Sequence, residues 1–294
     1  MSKIISCTYE QATGPIDYGF TNDYMFRAIL QQNTKVLTGL LSSLLHLEPE
    51  EITSIAVTNP IEPGDCIDNK EYILDVKVQV NHNTLLNLEM QVVNLLNWDD
   101  RSLSYLCRSY DQLCRGQDYA AALPVIHIGF LDYSPFKGST EFYADYRLMN
   151  HKTGRIYSDK FSLRVVDLTQ IDNATKEDKL HRIDHWARLF KATTWEEIKM
   201  MATTNEYLSE ASRALFEMNA DDIARQKSLA RQDYMRLQNS IEKKMAELEQ
   251  ALAESTEALA ESEKTITEKD EALAEKDAEI QRLKALLAGG RTES

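Results

Sequence analysis

The alternation of apolar and polar residues between positions 71 and 92 constrains the fold of this chain more than any other feature. Every second residue is apolar on both sides of the turn-like segment Asn81-His82-Asn83. A period of two is typical of half-buried strands, and a shift of one residue would turn every apolar side chain outward. The sequence therefore predicts an antiparallel hairpin with one apolar face and one polar face.

The polar face of this hairpin carries two carboxylates that the predicted register sets against each other. If the turn centres on His82, Asp75 lies opposite Glu89 and Val76 lies opposite Leu88. Directly opposed residues have Cβ atoms roughly 4.5–5.5 Å apart, so two carboxylates repel unless a cation or a shared proton separates them. The pair therefore indicates either exposed residues on a solvated sheet face or a divalent-metal site with hard oxygen ligands.

Helical and strand patterns alternate along the rest of the chain. Helical spacing is found at Phe20–Leu47, with a break near Asn33-Thr34, and at Trp98–Arg115. The apolar run Leu123–Leu131 is typical of a central strand buried on both sides. Further predicted elements are a strand at Ile52–Val57, a loop at Pro60–Asn69, strands at Glu141–Asn150 and Lys160–Leu168 joined by a turn at Lys152-Thr153-Gly154, and helices from Ala174 onward. We expect an α/β fold.

The predicted helix after the hairpin has one polar face. Arg101, Tyr105, Arg108 and Gln112 follow one another at spacings of four, three and four residues. Such residues lie on the same side of a helix. Arginines there suit phosphate recognition, and arginines at such positions are more often surface cations or partners in ion pairs.

The C-terminal segment has a different character. One column of apolar residues recurs at intervals of seven from Met245 to Leu287, while the companion column is polar in its centre. A stable coiled coil needs both columns to be apolar. We predict a body with C-terminal helices at 1–225 and a helical, partly coiled-coil tail at 226–294 that ends in a disordered segment.

Composition and motifs exclude several functional classes. The net charge of −14 counts against broad, non-specific nucleic-acid binding. No apolar run reaches about 18 residues, so no membrane span is expected. The four cysteines lack metal-binding spacing, which favours reduced thiols in a cytoplasmic protein. Glycine-rich nucleotide-binding motifs are also missing, so we expect no nucleotide cofactor.

His181 and His185, which are four residues apart, are candidates for a second metal site. That spacing can bind zinc on a helix, but the HExxH motif is missing and the sequence offers no obvious third ligand. We therefore interpret the two histidines as part of a helical surface.

Several segments together resemble a known family. The segments FTNDYMFRAIL, NKEYILDVKV, NLEMQ, RSLSYLCRSYDQLCRGQDY and LPVIHIGFLDY follow in an order and spacing that resemble Rpn-like recombination-promoting nucleases and transposases. These belong to the PD-(D/E)xK nuclease superfamily, and the resemblance covers most of residues 17–237. It implies a restriction-endonuclease-like core, in which helices flank a central mixed sheet.

The resemblance also implies a role for individual residues. Asp75, Glu89 and the backbone carbonyl of Met90 correspond to metal ligands, and the expected ion is Mg²⁺ or Mn²⁺. Gln91 stands where the superfamily pattern has Lys, and a neutral amide can orient the attacking water but carries no charge. The further candidates for contact with substrate or ligands are Asp23, Lys77, Arg101, Tyr105, Arg108 and Gln112.

These correspondences lead to a functional prediction with open alternatives. The prediction is a metal-dependent DNA endonuclease linked to recombination, mobile elements or defence, acting as a homo-oligomer, with the tail or the body as the contact between copies. The first alternative is an interaction or assembly protein whose nuclease core is weak or inactive. A nuclease that acts on RNA is the second alternative, because the same metal site would serve it.

Overall fold

The computed structural model describes residues 8–58, 76–111, 113 and 115–289. The chain divides into two compact units, residues 1–238 and residues 239–294. The predicted loop at 60–69, Asp75, Gln112 and the last residues of the tail lie outside the described residues. No helix among the described residues is long and apolar enough to cross a membrane.

The first unit is built on a mixed six-stranded sheet. Its strands are β1 (Ile55–Val57), β2 (Val76–Val80), β3 (Thr84–Gln91), β4 (Val125–Leu131), β5 (Tyr143–Arg147) and β6 (Phe161–Asp167). The strand order is β1-β2-β3-β4-β6-β5. β3, β4 and β6 run parallel in the centre, and the outer pairs are antiparallel.

Eight α-helices accompany the sheet in the described part of the chain. They are α1 (Asp23–Gln32), α2 (Thr34–Leu45), α3 (Trp98–Tyr110), α4 (Lys176–Leu180), α5 (Ile183–Lys191), α6 (Trp195–Ala202), α7 (Glu206–Ala220) and α8 (Asp222–Gly289). The break between α1 and α2 falls at Asn33, as predicted, where the side chain accepts a hydrogen bond from the Val36 N–H. Such a cap satisfies an otherwise unpaired donor of the next helix.

The predicted hairpin register is confirmed over the described residues. Val76 pairs with Leu88, and Val80 pairs with Thr84 across the turn. Asn81 and His82 both have positive φ, which a tight turn between right-twisted strands requires. The register therefore follows from the apolar alternation and the turn.

The prediction that both hairpin strands are half-buried is wrong for β3. β2 alternates between buried and half-buried residues, but the last six residues of β3 are all buried. β3 lies between β2 and β4, and α3 covers the face that carries its polar side chains. Alternation in sequence cannot distinguish a face that meets water from one that meets a polar layer of protein.

The two faces of the sheet carry different layers of protein. The main core packs Leu88, Met90 and Phe130 against helix residues such as Phe26 and Phe190. On the opposite face, Trp98 of α3 packs with Leu131 and Val165. Helices therefore flank both faces of the sheet, as expected.

Two predicted helical features need correction. The helix predicted at Trp98–Arg115 ends at Tyr110, because Asp111 adopts non-helical dihedral angles and Gly116 turns the chain with positive φ. His181 and His185 do not share one helix, since α4 ends at Leu180 and Arg182 adopts a left-handed conformation before α5 begins. Their spacing of four residues therefore does not place them on one face of a helix.

The second unit consists of the continuation of α8 beyond Gln238. Its described side chains from residue 243 to residue 284 are exposed. They include the predicted apolar column, whose described members are Met245, Leu252, Leu259, Ile266, Leu273 and Ile280. That residue 226 begins a functionally separate tail stays a prediction.

Candidate active site

Strand β3 places three polar side chains on one buried face. Asn87, Glu89 and Gln91 are 1%, 1% and 8% exposed, respectively. Buried polar groups cost free energy unless they are paired, and a buried carboxylate costs more. The partners of Glu89 therefore decide what this face can do.

Glu89 is held by a cation from the helix above it. Arg101 Nη2 lies 2.7 Å from Glu89 Oε1, and the glutamate side chain is only 2% exposed. Arg101 also lies over the Tyr105 ring, with 5.3 Å from Cζ to the ring centroid. Of the predicted helix face, Arg101 and Tyr105 thus reach the polar layer.

The other candidates on this helix differ in their positions. Arg108 lies on the same helix and is exposed, so the structure does not bring it to Glu89. Gln112 lies outside the described residues. Lys77 pairs with Asn87 across the hairpin and is half-buried, so it joins the polar face from β2.

The structure adds His127, which was not among the predicted residues. It lies on β4, is 0% exposed, and pairs in register with Asn87. Its Nε2 atom is 3.5 Å from Glu89 Oε2, and Asn87 Nδ2 lies 2.8 Å from its Nδ1. The one sequence signal for it was a single polar residue within an otherwise apolar strand.

His127 is neutral in the folded protein. Burial, followed by the nearby charges of Arg101 and Lys77, lowers the pKa of its imidazole to about 3. Because the Asn87 amide donates to Nδ1, the ring proton is assigned to Nε2, which faces Glu89. His127 is therefore a neutral polar neighbour of Glu89, and Arg101 is the charged partner of the carboxylate.

A cavity of about 150 Å³ opens at the carboxyl end of β3. Its lining includes Glu89, Met90 and Gln91 of β3, Asp23 of α1, Arg101 of α3 and Arg231 of α8. Gln91 Nε2 donates to the Val93 carbonyl at 3.3 Å, which orients its amide at this cavity. The structure thus brings the two acidic candidates, Glu89 and Asp23, to the same cavity.

Asp23 is the second buried carboxylate of the cavity. It is 1% exposed, and its Oδ2 accepts a short hydrogen bond from Arg231 Nε. Burial raises the pKa of Asp23, while the Arg231 guanidinium opposes that rise. Its Oδ1 is buried, and the backbone N–H groups of Tyr24 and Asp23 also lower the pKa of this carboxylate. The Asp23 carboxylate is a hard oxygen ligand of the kind that divalent cations prefer, and its partner here is Arg231.

A separate group of possible metal ligands lies at the C-terminal end of α2. The ligand atoms of His46, Glu177 and His181 lie within 4.8 Å of one another. The two imidazole rings are stacked, with 3.9 Å between centroids and 2° between planes. The nitrogen lone pairs of an imidazole lie in its ring plane, and parallel planes do not meet. The two rings as arranged therefore cannot direct their nitrogens at one ion.

Comparison with known proteins decides the family. The family model described as PD-(D/E)XK nuclease family transposase matches residues 20–246, which is more than half of the chain. The chain belongs to the PD-(D/E)XK nuclease family transposases. No curated protein and no solved structure matches it.

Membership agrees with the architecture described above. The mixed sheet flanked by helices is the restriction-endonuclease-like fold of PD-(D/E)XK nucleases. These nucleases generally use divalent metals, and the carboxylates of Glu89 and Asp23 supply the oxygen ligands that such ions prefer. The family supports a nuclease- or transposase-related function, and the roles of individual residues in this PD-(D/E)XK protein stay predictions.

Proposed function

We propose that this protein is a Mg²⁺- or Mn²⁺-dependent endonuclease that hydrolyses phosphodiester bonds in DNA. The observation that carries the proposal is the buried Glu89 carboxylate, which lines a cavity together with a second buried carboxylate, Asp23. Both acids are hard oxygen ligands of the kind that divalent ions prefer, and each has an arginine partner, Glu89 in Arg101 and Asp23 in Arg231. Family membership supports the same assignment.

The proposed metal ligands are Asp75, Glu89 and the backbone carbonyl of Met90. The hairpin register pairs Val76 with Leu88, and its continuation by one residue is the basis for proposing Asp75 beside Glu89. When bound, the ion would lower the pKa of a water molecule and offset negative charge on the phosphate. Asp23, which also lines the cavity, is a candidate for a further oxygen contact.

The surrounding residues have proposed roles in positioning. Gln91 orients the attacking water, and its own amide is oriented by the contact with Val93. Water attacks the phosphorus in line with the leaving oxygen, so that one P–O bond forms and one breaks. Lys77, Arg101, Tyr105, Arg108 and Gln112 are the proposed substrate contacts.

Plasmid cleavage tests the proposal directly. Purified protein is incubated with supercoiled plasmid and Mg²⁺, and the same assay is run with Asp75→Ala and Glu89→Gln. We expect cleavage by the wild type and a loss of at least about 100-fold in both variants. The matched control is Asp99→Asn, which removes an exposed carboxylate in the first turn of α3. Equal cleavage by wild type and both variants would exclude the proposed metal site.

An assembly protein with a weak or inactive nuclease core is the second candidate function. The observation that favours it is the exposed apolar column of the second unit, in which Leu252 and Leu273 are 69% and 58% exposed. Such a column is typical of a helix that pairs with another copy. We propose a homo-oligomer, either in this role or as a nuclease that pairs two active sites.

Two measurements separate these candidates. Analytical ultracentrifugation compares the full chain with a chain that ends at residue 238. If both chains form particles with the same number of copies, the tail is not the contact between copies. Absence of cleavage by wild type and Asp75→Ala, together with self-association that is lost on truncation, would favour assembly. Parallel digests of duplex DNA and RNA decide the substrate.

The biological setting is proposed from the family and from composition. Family membership supports a role in recombination, mobile-element activity or defence. The cysteine usage that favours reduced thiols supports a cytoplasmic location, and Cys107 is a free, exposed thiol. The acidic net charge of −14 supports weak intrinsic affinity for DNA, so we expect activity to fall steeply with salt.

A further inference from the structure

The catalytic motif of this chain lacks a positive charge at the position where the superfamily pattern has Lys. Gln91 is neutral, while Glu89 and Asp23 bring two carboxylates to the cavity. Hydrolysis of a phosphodiester places additional negative charge on the phosphate oxygens in the transition state. A bound divalent ion would offset part of this charge, and a cationic side chain from outside the strand motif would take the place of the missing Lys.

Arg231 is a cation that lines the same cavity as Gln91. It comes from α8, on a helical face shared with Ser228, Met235 and Gln238, at spacings of three, four and three residues. Met235 and Gln238 also line the cavity. The first turns of α8 thus form a wall of the proposed active site.

The position of Arg231 is fixed by contacts on two sides. Ser228 is fully buried, and its carbonyl accepts a hydrogen bond of 3.0 Å from Asn22 Nδ2, directly before α1. Arg231 itself bonds Asp23 through Nε, and its guanidinium lies 4.5 Å from the centroid of the Tyr234 ring. Its side chain is 14% exposed. These contacts hold the guanidinium at the cavity before substrate arrives.

Arg231 suits this role better than Arg101 does. Arg101 binds Glu89, a proposed metal ligand, whereas Arg231 binds Asp23, which is a further candidate only, so less of the proposed metal site depends on the Arg231 pair. A guanidinium has five N–H donors in a planar fork, which matches a phosphate as well as a carboxylate. Stability alone explains the Asp23–Arg231 pair poorly, because buried ion pairs can often be replaced by apolar residues without loss.

We infer that Arg231 contacts the scissile phosphate and supplies the positive charge that Gln91 lacks, while Asp23 orients its guanidinium. This inference rests on the proposed nuclease function. It makes α8 part of the active site up to Gln238, although the helix lies far from the hairpin in sequence.

The test combines DNA binding, cleavage and a rescue variant. Binding of a labelled duplex is measured in Ca²⁺ over a series of salt concentrations, and cleavage is measured in Mg²⁺ at saturating DNA. For Arg231→Gln we expect a kcat about 100- to 1,000-fold lower than that of the wild type. The slope of the logarithm of the DNA-binding constant against the logarithm of the salt concentration should be shallower by about one. Arg231→Lys should retain the salt dependence. The double variant Arg231→Gln/Gln91→Lys should recover cleavage to within about tenfold of the wild type.

Two further variants separate a contact with phosphate from a role in folding. Arg236→Gln removes an exposed arginine of the same helix, whose partner Asp233 is also exposed, and should change neither readout. If Arg231→Gln fails to fold, Asp23→Asn/Arg231→Gln removes the buried carboxylate together with its partner. A merely structural role predicts that Gln91→Lys rescues nothing.

The outcomes distinguish this inference from the proposed function. Cleavage by the wild type that survives unchanged in Arg231→Gln overturns the inference and leaves the nuclease intact. If the wild type binds but does not cleave, the nuclease proposal fails, and the salt dependence of Arg231→Gln alone decides whether Arg231 contacts phosphate. Failure of the wild type to bind DNA overturns both.

Discussion

Arg101 and Glu89 form an ion pair across the polar face of the sheet, with 2.7 Å between Nη2 and Oε1. The arginine belongs to α3 and the glutamate to β3, so the pair connects the helix layer to the central strand. Glu89 is also the proposed metal ligand. The guanidinium and a divalent ion therefore compete for the same carboxylate.

Removal of Arg101 should strengthen metal binding and weaken the metal-free protein. For Arg101→Met we expect a loss of about 3 kcal/mol in the free energy of unfolding without metal, because a buried carboxylate loses its partner. The Kd for Mn²⁺ should fall by about tenfold, because the competitor is gone. Urea unfolding in EDTA and calorimetric titration with Mn²⁺ measure the two effects.

Arg108→Met is the matched control, since it removes an exposed arginine from the same helix. It should leave both quantities unchanged. Weaker Mn²⁺ binding by Arg101→Met would show that Arg101 supports the metal site instead of competing for it.

His127 should make the protein sensitive to acid. Burial depresses the pKa of its imidazole to about 3, against an ordinary value of about 6.5 in the unfolded chain. Between these values the unfolded chain binds a proton that the folded protein does not bind. Its stability contribution is therefore present above pH 6.5 and is lost as pH falls toward 3, at about 1.4 kcal/mol per pH unit.

His127→Gln removes this titration and keeps a polar side chain. We expect the free energy of unfolding of the variant to be lower than that of the wild type at pH 7.5. At pH 4.5 this difference should be smaller by about 2–3 kcal/mol, because only the wild type loses stability through His127. Urea unfolding in EDTA at both pH values gives the comparison. A difference that stays constant with pH would contradict the depressed pKa.

Local patterns predicted the elements that local forces determine. The register of Val76 against Leu88 followed from alternation and a short turn, and the break between α1 and α2 followed from Asn33 as a cap. The buried strand β4 followed from its continuous apolar run. Each of these depends on residues that are close together in the sequence.

The composition of the site depends on contacts that sequence spacing does not encode. His127 meets Asn87 through parallel pairing of β3 with β4, at a separation of 40 residues. Asp23 meets Arg231 at a separation of 208 residues. Such pairs form only when distant strands pair in the sheet and the start of α8 meets the start of α1, so periodicity gave no signal for them.

Gly129 should be required for the position of α3. It pairs with Glu89 in the neighbouring strand, and a Cβ atom added to it would lie 2.1 Å from an atom of the Trp98 ring. Trp98 begins α3, which carries Arg101 to Glu89. For Gly129→Ala we expect a loss of about 2–3 kcal/mol, because the indole must move within a packed layer.

Gly19→Ala serves as the control, because its added Cβ would meet only the Ala192 carbonyl at 3.4 Å. Urea unfolding at pH 7.5 should place it within about 1 kcal/mol of the wild type. If Gly129→Ala proved as stable as Gly19→Ala, Trp98 could not be packed against β4 as described.

The position of truncation should decide whether the first unit stays folded. A chain that ends at residue 238 keeps the contacts of Ser228 with Asn22 and of Arg231 with Asp23. A chain that ends at residue 225 loses both and leaves the Asp23 carboxylate buried without its cation. We expect the longer chain to have the same melting temperature as the full-length protein. The free energy of unfolding of the shorter chain should be lower by at least about 3 kcal/mol.

Thermal unfolding and circular dichroism of the two truncated chains give the measurement. Asp23→Asn in the shorter chain is the informative control, because it removes the unpaired charge and should restore part of the lost stability. Equal melting of both truncations would show that the first turns of α8 do not stabilise α1. In that case Arg231 could still act on substrate, but its position would have to be fixed by contacts other than those with Asp23 and Asn22.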